Sequence, residues 1–82
     1  MTSLQVALGR TIVRLRKDMG LSQESLALKC GIARTYMTGV ERGRHNLSLE
    51  LLERIAKGLG IDAGVLLTAA ELERRTSARR TR

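Results

Sequence analysis

Apolar residues recur at three- and four-residue steps through the first part of the chain, at Leu4, Leu8, Ile12, Leu15 and Met19. That spacing lines one face of an α-helix and predicts a first helix over about residues 3–18. Arg10, Arg14 and Lys17 fall off the stripe and are expected to face water. Gly20 follows, where a helix commonly ends on a left-handed residue. Ser22 supplies an N-cap for a second helix over 23–30, with Leu26 and Ala27 inward, and Gly31 interrupts it. A third helix is predicted from about Ala33 to Glu41, closed by Gly43. Ser48 introduces a fourth over 49–59, whose inward stripe is Leu52, Ile55, Ala56 and Leu59, and Gly60 stops it. Asp62 caps a fifth from Ala63 to about Arg74. Met19 and Met37, at helical spacing, fit as core fillers.

The fold class that follows is all-α, a five-helix bundle. Leu, Ala, Arg and Glu dominate and favour helix, while Pro, Trp and Phe are absent and Tyr36 is the sole aromatic residue, so a sheet has little to be built from. Residues 1–75 read as one unit that binds and dimerises, and residues 76–82 as a basic tail without fixed structure. With 82 residues, a folded chain buries only about two-thirds of its unfolded surface.

Within this pattern the segment Gln23–Arg42 stands out as a short helix, a sharp turn and a second helix. Ala27 and Gly31 are small where two helices must meet, and Gly31 suits the positive φ of a tight turn. Leu26, Ile32, Met37 and Val40 supply the apolar positions that lock the pair. At 100° per residue, Ala33, Met37 and Val40 cluster on the core side of the third helix, and Thr35, Thr38 and Arg42 point the other way, flanked by Arg34 and Gly39. Hydrogen-bonding side chains on an outward face suit a helix lying in the major groove of double-stranded DNA. Gly39 costs such a helix about 1 kcal/mol relative to alanine, and is explained if something bulky approaches there.

Charge adds less than its total suggests. The net charge is +7, but residues 74–82 hold five arginines and no acid, and the remaining 73 residues carry 10 bases against 8 acids. The excess favours polyanions such as nucleic acid without conferring specificity. The run at 71–75 reads as a solvated helix end. Cys30 stands alone, which favours a reducing, cytoplasmic setting and a role as a small hydrophobe. His45 has no second ligand at metal-binding spacing, so no metal or cofactor is expected. No nucleophile–base pair or phosphate loop is recognisable, which argues against an enzyme. No apolar run approaches the roughly 18 residues that span a bilayer, and no signal peptide is read, so no membrane partner is expected.

The run GLSQESLALKCGIARTYMTGVERG, followed by NLSLELLERIAKGLG, resembles the phage-repressor and Cro-type helix-turn-helix proteins over about residues 8–67. Within that family, RTYMTGVERGRHNLSLELL is most similar to the controller proteins of bacterial restriction–modification systems. The resemblance implies a lambda-repressor-like fold and a sequence-specific transcriptional regulator, cytoplasmic and nucleoid-associated, that activates and represses its own operon. It implies that Arg34, Thr35 and Thr38 read bases, and that Gln23, Tyr36, Arg42, Arg44, His45 and Asn46 hold the DNA backbone. It also implies a structural pair between Arg16 and Glu41, and a contact between Glu24 and the RNA polymerase sigma subunit. Two positions depart from the family pattern: Ala33 replaces the usual Ser or Thr cap, and Leu47 stands where proline is common.

The fifth helix carries more apolar surface than one flank of a small bundle needs. Val65, Leu66, Leu67, Ala69 and Leu72 are therefore expected to form a homodimer interface, which would demand a pseudo-palindromic operator, with two dimers on adjacent sites. The same surface would serve an antitoxin or prophage-type repressor as the seat of a partner protein.

Overall fold

The computed structural model describes the backbone of residues 3–80 and the side chains of residues 3–77. Five helices follow one another: α1 Leu4–Asp18, α2 Gln23–Cys30, α3 Arg34–Glu41, α4 Leu49–Gly58 and α5 Ala63–Arg80. Three starts are fixed by serine. The hydroxyls of Ser3, Ser22 and Ser48 accept from the N–H groups of Val6 (3.1 Å), Ser25 (3.0 Å) and Leu51 (3.1 Å), each satisfying an otherwise open helix donor. At α3 the expected weakness is present, because Ala33 makes no side-chain cap. Gly31 closes α2 at φ 68°, the left-handed geometry that the turn into α3 requires.

One core joins all five helices. Ile12, Leu26, Met37, Ile55 and Leu66 are fully buried at its centre, with Leu8, Val40 and Leu52 around them. Met37 fills the core as expected, whereas Met19 does not: as the C-cap of α1 it is exposed, because the helix ends before its side chain turns inward. Cys30 is buried, and that burial pushes its thiol above the ordinary range, so it behaves as a hydrophobe. Among the described residues, no helix is long and apolar enough to cross a membrane.

α1 is the central strut, packed against α5, α3 and α2. Its small residues let neighbours come close. A Cβ on Gly9 would stand 2.4 Å from the Glu41 carbonyl oxygen and 2.7 Å from that of Val40, so α3 ends directly on the backbone of α1. Thr11 is buried with its hydroxyl donating to the Ala7 carbonyl at 2.8 Å, which removes the penalty of a polar group inside.

An ion pair fixes the same crossing. Arg16 Nε and Nη2 donate to Glu41 Oε2 and Oε1 at 2.7 and 3.0 Å, and Nη1 donates to the Leu21 carbonyl at 3.2 Å. The two side chains are only 13% and 5% exposed. The hydrogen bonds to Glu41 raise the Arg16 pKa above the usual arginine value, against the opposing effect of burial.

The fifth helix departs from expectation at its end. Apolar periodicity stops near Arg74, but the helix runs on to Arg80, so residues 76–80 are helical, and Thr81 and Arg82 lie outside the described residues. Ser77 is buried and accepts from Arg10 Nη1 at 2.7 Å. Arg10 thus bridges to α5 instead of facing only water, and a polar anchor extends the helix where an apolar stripe does not.

Two measurements follow from this packing. Arg16→Ala should cost about 3–5 kcal/mol in urea unfolding, because it strands a buried carboxylate, while replacing both partners (Arg16→Met with Glu41→Leu) should recover most of that loss. Gly9→Ala should cost about 1–3 kcal/mol despite alanine's better helix propensity, since backbone carbonyls cannot step aside as side chains do.

Candidate nucleic-acid interface

α3 divides into an inner and an outer side as its sequence predicts, except that Ala33, expected on the core side, is exposed at the start of the helix. Met37 and Val40 are buried, and Arg34, Thr35 and Arg42 are exposed. Thr38 is half-buried, and its hydroxyl is committed inward: it lies 2.7 Å from Gln23 Oε1 and 3.1 Å from the Arg34 carbonyl. A hydroxyl has one proton, so these acceptors share or alternate. Gln23 Nε2 in turn donates to Glu41 Oε1 at 3.0 Å. Arg16, Glu41, Gln23 and Thr38 therefore form one chain of hydrogen bonds. It runs from α1 through the end of α3 to the first residue of α2 and back to the middle of α3. Gln23, expected only to grip a phosphate, is also the brace between the two motif helices.

The loop after α3 separates into two kinds of residue. Arg42 and Arg44 are exposed and pair with no acid among the described residues. His45, half-buried, and Asn46, exposed, are expected alongside them but make contacts with the protein's own side chains. The His45 ring stacks on Tyr36, with centroids 4.2 Å apart and planes 7° from parallel. Asn46 Oδ1 accepts from Gln5 Nε2 of α1. Neither contact is legible in sequence, because 41 positions separate Gln5 from Asn46 and nothing local marks them as neighbours.

His45 also accounts for Gly39. A Cβ there would stand 2.2 Å from His45 Nε2 and 2.6 Å from its Cδ2. The bulky group that approaches this glycine is the protein's own imidazole. Arg34, the first residue of α3, has Glu24 of α2 as its neighbour, with Nη1 and Oε2 3.8 Å apart.

The predicted dimer set does not share one face. Leu66 is fully buried in its own protomer and leaves the set, because it packs in the core beside Ala70. Leu67 turns to a cleft that it lines with Leu4, Leu8, Leu47, Leu49 and Leu52, next to His45 and Asn46. Val65 and Leu72 are exposed on a different flank of α5, with Ala69 between them. At 100° per residue, Val65 and Leu67 are about 160° apart, too far for one flat contact.

A double-mutant cycle tests the role given to His45. Gly39→Ala should gain its full helix-propensity benefit of about 1 kcal/mol only in a His45→Ala background. In the wild-type chain that gain should be offset by about 0.5–1.5 kcal/mol as the aromatic stack is displaced. Equal effects in both backgrounds, measured by thermal unfolding, would reject the assignment.

Comparison with known proteins agrees with this geometry. Residues 12–66 match the family described as helix-turn-helix. The chain is 39% identical over 74 residues to the control protein C.MunI of a Mycoplasma species, covering 89% of this chain and 100% of that protein. Among solved structures, the restriction–modification controller C.AhdI from Aeromonas hydrophila is 42% identical, with a TM-score of 0.73 over 76% of this chain and 94% of its own. C.Esp1396I bound to a 25 base pair operator site is 34% identical, with a TM-score of 0.78 over 89% of this chain and 96% of its own. The chain therefore belongs to the helix-turn-helix family, among the restriction–modification controller proteins.

Proposed function

We propose that this protein binds a pseudo-palindromic operator as a homodimer and, as the controller of a restriction–modification system, both activates and represses its own operon. The observation that carries the DNA-binding geometry is the outward side of α3. Arg34 and Thr35 project from a helix whose opposite side is sealed in the core, beside the exposed cations Arg42 and Arg44. Seated in a major groove, α3 would bring Arg34 to a base edge, with Thr35 and the methyl group of Thr38 beside it. Arg42 and Arg44 would meet phosphates on the flank, as would Gln23 at the start of α2 and the hydroxyl of Tyr36. His45 and Asn46 would shape that flank by holding the loop.

A dimer must bring two copies of α3 about 34 Å apart, one DNA turn, on the same side. We place its contact at the cleft of Leu4, Leu47, Leu49 and Leu67. It adjoins the loop that follows α3, and Leu49 is 78% exposed in the isolated protomer. The stripe of Val65, Ala69 and Leu72 lies on another flank of α5, in a groove lined by no residue of α3 or of the loop that follows it. Two such dimers on adjacent sites would let occupancy decide between activation and repression. Activation then requires a contact with RNA polymerase, for which Glu24, exposed at the start of α2, is the residue offered to the sigma subunit.

Arg34→Ala should weaken binding to a selected duplex by about 1–3 kcal/mol while leaving scrambled DNA nearly unchanged. Arg44→Ala should weaken both and reduce the slope of log K against log salt by about one. Equal losses on both duplexes for Arg34→Ala would remove it as a base reader. Sedimentation velocity tests the assembly: the wild-type chain should be dimeric at tens of micromolar, and Leu49→Arg should make it monomeric while Leu72→Arg should not. A wild-type monomer would refute the dimer, and the opposite pattern in the two variants would move the contact to the outer stripe.

A further inference from the structure

The ion pair between Arg34 and Glu24 joins the first turns of the two motif helices, with both side chains well exposed, 66% and 75%. The ends of the pair are not equivalent. Glu24 is an acid in the first turn of α2, where the helix dipole favours it, whereas Arg34 is a cation in the first turn of α3, where the dipole opposes it. α3 offers no acid of its own in that turn. Glu24 is therefore the end that its own helix favours, and Arg34 the end that gains from a neighbouring acid.

The approach is also lopsided. Glu24 Oε2 lies nearest Nη1, which leaves the edge made by Nε and Nη2 on the other side of the guanidinium. That edge presents two parallel N–H donors, the fork that a guanine matches with O6 and N7. A phosphate on non-specific DNA attracts the same guanidinium as a charge, and there the carboxylate competes with it directly and repels it. We infer that Glu24 is a positioning residue that sets specificity: it attracts Arg34 from the Nη1 side, leaves the Nε–Nη2 edge for a base, and weakens capture of Arg34 by phosphates of any sequence.

This inference rests on the assignment of Arg34 as a base reader, and the test separates the two. The probes are a duplex enriched by the full chain from a random-sequence pool and a scrambled duplex of the same length and composition. Binding is measured by fluorescence anisotropy for the wild type, Glu24→Gln, Glu24→Asp, Arg34→Ala and the Glu24→Gln/Arg34→Ala double variant. Glu53→Gln, an exposed acid on α4, controls for the loss of one negative charge.

Glu24→Gln should tighten binding to the scrambled duplex by about two- to five-fold, the range that exposed ion pairs support. It should tighten the selected duplex less, so that the ratio of the two affinities falls and base preference at the position read by Arg34 broadens. Glu24→Asp should restore part of the ratio. With Arg34 already replaced by alanine, Glu24→Gln should move both duplexes by the same factor. The inference is overturned if Glu24→Gln shifts both duplexes equally in the wild-type background, or no differently from Glu53→Gln, while Arg34→Ala still lowers the ratio. If Arg34→Ala itself leaves the ratio unchanged, the base-reader assignment fails first and the inference falls with it.

Discussion

The position of the recognition helix depends on one buried ion pair. Arg16 and Glu41 join the body of α1 to the last residue of α3 through two short hydrogen bonds, in a place that water barely reaches. Their value lies less in net stability than in geometry, because a bidentate guanidinium–carboxylate pair permits few orientations. Glu41 then passes the constraint to Gln23, and Gln23 passes it to Thr38. α3 is thereby held at its end by α1 and at its middle by α2. A helix that reads base edges must be placed to within a fraction of an ångström, and a weakly capped start at Ala33 cannot supply that alone.

Much of this arrangement is legible in the chain, for identifiable reasons. Serine before a periodic stripe and glycine after it mark helix ends by local chemistry, and Ser22 and Ser48 behave accordingly. The two sides of α3 follow from 3.6-residue periodicity, which fixes direction within one helix. The pairing of Arg16 with Glu41 is legible only through family resemblance. What periodicity cannot give is the identity of a neighbour from elsewhere. Gly39 signals a close approach but not its source, since His45 is brought there by a loop. Leu66 belongs to an apolar run in which every member looks available until the tertiary packing takes one inward. The end of α5 escapes an apolar pattern because the anchor at Ser77 is polar and its partner, Arg10, lies 67 residues away.

The family and the geometry meet in a DNA-binding transcriptional regulator with a division of labour across one short motif. Side chains facing in decide where α3 lies, and side chains facing out decide what it touches. Gln23 and Thr38 belong partly to both sets, because their polar atoms brace the motif while both remain partly exposed beside the outward side of α3.

The contact at Gly9 sets a limit on how such a protein can diversify. Where α3 rests on bare backbone, no side chain exists whose size could be adjusted to raise, lower or tilt the helix. Any larger residue forces the two helices apart as a whole. New preferences must then arise by exchanging the outward side chains on a platform of constant height, which makes recognition a matter of substitution at a few surface positions.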